Sequence, residues 1–151
     1  KIEVCAEIIS LLVGVTTDVN CYDVTIEKDM QLHAPIIVTC VDSMDARKEI
    51  WEAIKQSPAV EVLIDARAGA EELRFIYAPT SNPASYEATL YSDEEAIPLP
   101  CTARAIIYTG FAAGAFNAAL VKAHLTGKGG KFKQVAWSFP LFQSLVFEPV
   151  E

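Results

Sequence analysis

The chain has four cysteines, Cys5, Cys21, Cys40 and Cys101, and no two are close enough to form a CxxC pair. With no secretory signal either, this argues against a disulfide framework and for a reduced, cytoplasmic protein. Basic clusters are absent, and a formal net charge of -8 argues against nucleic acid as a partner. Histidine is confined to His33 and His124, too isolated for a third group to make a triad or metal site visible. No membrane span is expected. The Ala-rich stretch 103–125 is interrupted by Arg104, Asn117, Lys122 and His124, and its small residues suit a buried helix of a soluble protein. Neither an internal repeat nor a low-complexity segment is present.

What remains is an apolar chain of one-domain length. Its 151 residues are 52% hydrophobic, with a mean hydropathy of +0.26, enough for a proper core and too much for a disordered chain. The most informative stretch is 35–54, PIIVTCVDSMDARKEIWEAI. Residues 36–41 are apolar on both faces, as in a parallel strand covered by helices on each side. Asp42-Ser43 follows, and either can cap a helix. Ile50, Trp51 and Ile54 then form one apolar helical stripe. A carboxylate at the end of a buried strand, beside a helix N-terminus, is where open α/β sheets place ligands.

Elsewhere, Val4, Ile8, Leu11 and Leu12 mark a helix that Gly14 stops, and residues 18–26 alternate as a strand does. Ser57-Pro58 ends the central helix, and 60–66 reads as the next buried strand. Strands are expected at 72–78 and 86–91, a long helix over 102–125, and two closing strands at 132–137 and 141–147. The fold expected is α/β, with a Rossmann-like, mixed, mostly parallel sheet, helices on both faces, and an antiparallel meander attached to the parallel core.

Each candidate site residue has a bland reading beside its functional one. Asp42 is either a helix cap alone or a carboxylate that serves magnesium or phosphate chemistry. Arg47 is either a solvated face residue or part of that site. Asp65 and Arg67 end a strand on the ligand-binding edge, as a structural ion pair or as substrate contacts. Cys101 follows the stiff Pro98-Leu99-Pro100 and precedes a helix, where the dipole and Arg104 favour a thiolate. Otherwise it is inert. Cys5, Cys21 and Cys40 are expected in the core.

Three stretches taken together resemble the carboxyl-terminal half of ubiquitin-activating-enzyme-like (ThiF/HesA-type) adenylyltransferases. They are Val38-Thr39-Cys40-Val41-Asp42-Ser43 with Arg47; Leu63-Ile64-Asp65-Ala66-Arg67-Ala68-Gly69 with its following strand; and Pro100-Cys101-Thr102-Ala103-Arg104 leading into the Ala/Gly-rich helix. The resemblance covers most of 1–125 and implies an enzyme that binds ATP and magnesium. Such an enzyme adenylates the C-terminal glycine carboxylate of a ubiquitin-like or sulfur-carrier protein, commonly as a homodimer. By matching position, it implies that Asp42 assists magnesium and ATP, with Ser43 beside it, and that Lys1 touches phosphate. Arg47 becomes a helix-side support, and Cys101 a candidate thioester nucleophile.

The chain departs from that pattern in three places. It has no glycine-rich loop to cradle phosphates, no arginines between such a loop and Lys1, and no paired CxxC, so no zinc is expected. Residues 1–151 therefore read as a single domain lacking its N-terminal nucleotide-binding portion. The alternatives are a non-catalytic scaffold or partner half of such an enzyme, and a generic Rossmann-like nucleotide- or metabolite-binding domain.

Overall fold

A computed structural model describes residues 2–13, 19–95 and 107–147. In chain order they form α1 (Ile2–Val13), β1 (Ile36–Thr39), α2 (Met44–Lys55), β2 (Val62–Gly69), β3 (Glu72–Pro79), α3 (Pro83–Glu87), a 3-10 turn at Asp93–Glu95, α4 (Ile107–Leu125), β4 (Lys133–Ser138) and β5 (Gln143–Phe147). The strands make one open mixed sheet in the order β1-β2-β3-β4-β5. The chain is thus α/β, with helices on both faces of the sheet.

Alternation along β2 and β3 divides the core. Leu63, Ile76 and Ala78 face α2 and α3, packing with Ile50, Trp51, Ile54 and Tyr86. Val62, Ile64 and Tyr77 face the other way, onto Leu120 and Val121 of α4. Ala66, Leu73 and Phe75 continue that second layer under Ala112 and Ala113. Small side chains on α4 let its backbone approach the sheet closely.

The expectation of a mostly parallel sheet is corrected. Only β1 and β2 run parallel, with Ile36 opposite Val62 and Thr39 opposite Asp65; β2–β3, β3–β4 and β4–β5 are antiparallel. Between β2 and β3 the cause is loop length. Gly69 pairs with Glu72, leaving Ala70 and Glu71 as a two-residue connection that can only make a hairpin, whereas β1 reaches β2 through a whole helix.

Two expected strands do not form. Residues 19–26 are irregular; Tyr22 and Val24 are exposed, while Ile26 packs against the α2 core. At 86–91, Pro83 in the first turn starts α3 instead, since its fixed φ suits that position. The expected apolar stripe of α1 is exposed at Val4, Ile8 and Leu11. Among the described residues no helix is long and apolar enough to cross a membrane.

Candidate functional site

The junction between β1 and α2 is fixed from inside. Ser43 is the N-cap of α2, with extended backbone (φ -106, ψ 151), and its hydroxyl accepts from the Ala46 N–H at 3.1 Å. Ser43, rather than Asp42, therefore supplies the cap. Asp42 lies exposed at the carboxyl end of β1.

One turn into α2, Arg47 is buried. Its Nη1 donates to the Ser43 carbonyl at 3.0 Å and its Nη2 to the Val41 carbonyl at 2.5 Å. Its Nε donates to Asp65 Oδ1 at 3.2 Å. The guanidinium thus holds the two carbonyls that flank Asp42 and ties them to β2. It is neither a solvated face residue nor open to solvent.

Asp65 is fully buried, 0% exposed, and a carboxylate there requires compensation from every side. Oδ1 accepts from the Thr39 hydroxyl at 2.9 Å as well as from Arg47. Oδ2 accepts from Arg67 Nε at 2.7 Å and from the Tyr86 hydroxyl at 3.0 Å. Arg67 continues to Thr89, donating to its carbonyl at 2.8 Å and its hydroxyl at 2.9 Å, and lies over the Tyr86 ring. Burial, and then the neighbouring Asp65 charge, push the Tyr86 phenol well above its ordinary range, so it stays protonated and donates. Two guanidinium groups surround one carboxylate, leaving one surplus positive charge beneath the β1–α2 junction.

Asp42, Ser43, Arg47, Asp65 and Arg67 thus come together at one end of the sheet, by way of β1, β2 and α2. Lys1, Cys101 and Arg104 lie outside the described residues. Thr39, Tyr86 and Thr89 belong to the same constellation and were not foreseen. Thr39 is the register partner of Asp65, a relation that appears only once β1 and β2 are paired. Cys21 and Cys40 are exposed, correcting their assignment to the core. Cys40 follows the last residue of β1 and accepts from Asn117 Nδ2 of α4 at 3.7 Å. The side chain of Cys5 lies outside the described residues.

Residues far apart in sequence also meet on the α4 face. The Tyr77 hydroxyl bonds His124 Nδ1 at 2.9 Å, and His124 Nε2 pairs with Glu61 Oε2 at 3.1 Å. Either protonation state of the imidazole satisfies this chain of bonds. Gly129 packs directly on the phenol end of Tyr77, which is 3% exposed, so the arrangement is a clamp between α4 and the sheet, buried at Tyr77 and open to solvent at Glu61.

An open groove of about 400 Å³ lies at the opposite end of α2, lined by Trp51, Lys55, Ser57, Thr80 and Pro83. It is remote from Asp42. Among the described residues no group of three or more His, Cys, Asp or Glu side chains is placed to hold a metal. For magnesium the fit is a single exposed carboxylate, Asp42, which suits an ion that keeps most of its waters and takes its remaining ligands from phosphate.

No model of a known protein family matches the chain, and no curated protein matches it at a significant level.

Proposed function

We propose that this chain is the carboxyl-terminal part of a Rossmann-like, ATP-dependent adenylyltransferase. The enzyme would activate the C-terminal carboxylate of a ubiquitin-like or sulfur-carrier protein, working in the cytosol as a homodimer. The observation that supports this most is the β1–α2 junction. Arg47 and Asp65 fix its backbone from beneath, while the Asp42 carboxylate is left exposed at the strand end. A loop whose backbone is held by Arg47 and which carries one solvent-facing carboxylate is pre-organised for a magnesium-bound phosphate.

In this reading Asp42 orients hydrated magnesium against ATP, and Ser43 holds the helix start in place. Lys1 contacts phosphate, and Arg47 acts through the backbone it grips. Asp65 and Arg67 form the floor of the substrate edge, and Cys101 is the candidate thioester nucleophile. Magnesium supplies charge neutralisation as the carrier carboxylate attacks the α-phosphorus and pyrophosphate leaves.

The test is pyrophosphate exchange by the complete enzyme with its carrier. Asp42→Asn is expected to abolish exchange while leaving the fold intact, because Ser43 keeps the cap; retained exchange would refute the role of Asp42. The chain alone is expected to bind magnesium-ATP weakly, since its sequence has no glycine-rich loop to cradle the phosphates. Low-micromolar affinity by calorimetry would place the phosphate site elsewhere.

A second reading is a scaffold half without catalysis. It is favoured by Arg47 and Asp65 directing their charges at each other inside the core. A complete protein that binds a carrier and never exchanges pyrophosphate would select it.

A further inference from the structure

We propose that β5 is a self-association edge. Two copies of this chain pair their β5 strands antiparallel, about a two-fold axis at Leu145, and so join their sheets into one. The surface serves a homodimer without resting on the adenylyltransferase reading, which pyrophosphate exchange tests separately.

β5 ends the sheet, so one row of its backbone N–H and C=O groups has no strand beside it among the described residues. Its ladder with β4 is unbroken, from Gln143 opposite Ser138 to Phe147 opposite Gln134, and no bulge turns the edge aside. Edge strands that stay single are guarded by lysine, proline, a bulge or a covering element. The strand Gln-Ser-Leu-Val-Phe carries no such residue, and all five positions are exposed. The helices pack over β2 and β3 instead.

Both faces of the strand are apolar. Val146 continues the α4 face through Val135 and Phe75 and is 70% exposed. Leu145 lies on the other face, 65% exposed, with Phe147, whose ring lies under Arg74.

The strand's relation to itself identifies the occupant. An open strand edge is completed by another strand, and β5 offers no charge by which to select a foreign one. Residues 134–147 contain no charged side chain, in a chain with 20 acidic residues and a net charge of -8. Two copies can therefore meet along this hairpin with no carboxylate in either strand. Antiparallel pairing about Leu145 sets it opposite the partner's Leu145, Ser144 opposite the partner's Val146, and Gln143 opposite the partner's Phe147. Each face of one sheet then continues the same face of the other, as an isologous contact requires. Ser144 leaves room for a valine, and the central pair is leucine on leucine.

Five residues a side make a small contact, so dissociation in the micromolar range is expected. Sedimentation equilibrium of the full chain gives the constant, and amide exchange locates the contact. At about ten times that constant, the β5 amides that point away from β4 are expected to exchange about fivefold more slowly than in the dilute monomer. That measurement needs no variant. Leu145→Lys and Leu145→Glu each set like charges opposite one another across the axis, whereas an equimolar mixture sets unlike ones there. The mixture is expected to associate about fivefold more tightly than either variant alone. A chain that stays monomeric throughout the micromolar range would overturn the proposal and leave the edge to a different partner. So would β5 exchange that ignores concentration, or a mixture no tighter than its components.

Discussion

At position 65 the chain buries a carboxylate completely and surrounds it with four donors, from Thr39, Arg47, Arg67 and Tyr86. Removing it leaves two guanidinium groups unpaired in the core. Asp65→Ala is therefore expected to destabilise the fold by about 3–5 kcal/mol in urea titrations. Asp42→Ala, at an exposed position, should cost roughly 0.5 kcal/mol or less. Equal costs would mean that the cluster is not what holds the strand ends together. Tyr86 gives the same cluster a dependence on pH. Burial and Asp65 hold its phenol above the ordinary 10.0, so the unfolded chain loses that proton first. Stability from this group is intact below the ordinary value and declines as pH rises beyond it. The urea midpoint should fall between about pH 9 and about pH 11, and fall less in Tyr86→Phe. Tyr77 is also raised, by burial and then Glu61, so the difference between the two proteins, and not the fall itself, reports Tyr86.

Elements are joined here by their ends. Helix α4 closes with Gly127 at φ 70. Its N–H bonds the His124 carbonyl, and the Lys128 N–H bonds that of Ala123, the paired ending that a left-handed glycine permits. This turn brings Gly129 onto the Tyr77 phenol. A β-carbon at 129 would sit 2.7 Å from Tyr77 Cζ, and the ring is too buried to move aside freely. Gly129→Ala is expected to cost about 1–3 kcal/mol by overpacking and to break the Tyr77–His124 bond. Pairing it with Tyr77→Phe tests the mechanism. If the clash is with the hydroxyl, the double variant loses less than the sum of the singles.

For the molecule as a whole, protection from exchange should follow the layers. β2 is hydrogen-bonded on both sides and covered on both faces, and Val62, Leu63, Ile64 and Asp65 are each 0% exposed. β5 is an edge strand whose five residues are all exposed. Native-state amide exchange is expected to be slowest in β2 and β3 and fastest among the strands in β5. Comparable protection in β5 would mean that something covers that edge in solution. Asp65 and Ile64, at the centre, then exchange only on global unfolding, which links the stability of the Asp65 cluster to that of the sheet.

Periodicity and punctuation in the sequence were enough to place α2, β3, β4 and β5, and to place β2 with its ends shifted, expected at 60–66 and found at Val62–Gly69. They also located the β1–α2 junction, with the cap left between Asp42 and Ser43, because apolar spacing, Asp42-Ser43 and Ser57-Pro58 act within a few residues. The same local signals misread 19–26, whose alternation found no neighbouring strand, and 86–91, where Pro83 and the burial of Tyr86 against Trp51, ring centroids 4.6 Å apart, drew the chain into a helical turn. Strand direction was not legible residue by residue; between β2 and β3 the two-residue connection at Ala70 and Glu71 decided it. Asp42, Ser43, Arg47, Asp65 and Arg67 could be singled out from residue type and position, but their division of labour could not. Only the parallel pairing of β1 with β2 puts Thr39 beside Asp65. Only the packing of α3 brings Tyr86 and Thr89 to Asp65 and Arg67. Tertiary structure therefore decided that Arg47 is spent inside, that Asp42 faces solvent, and that Cys40 lies outside the core beside Asn117. Whether a charge is buried, and which group answers it, depends on contacts between segments that no local pattern encodes.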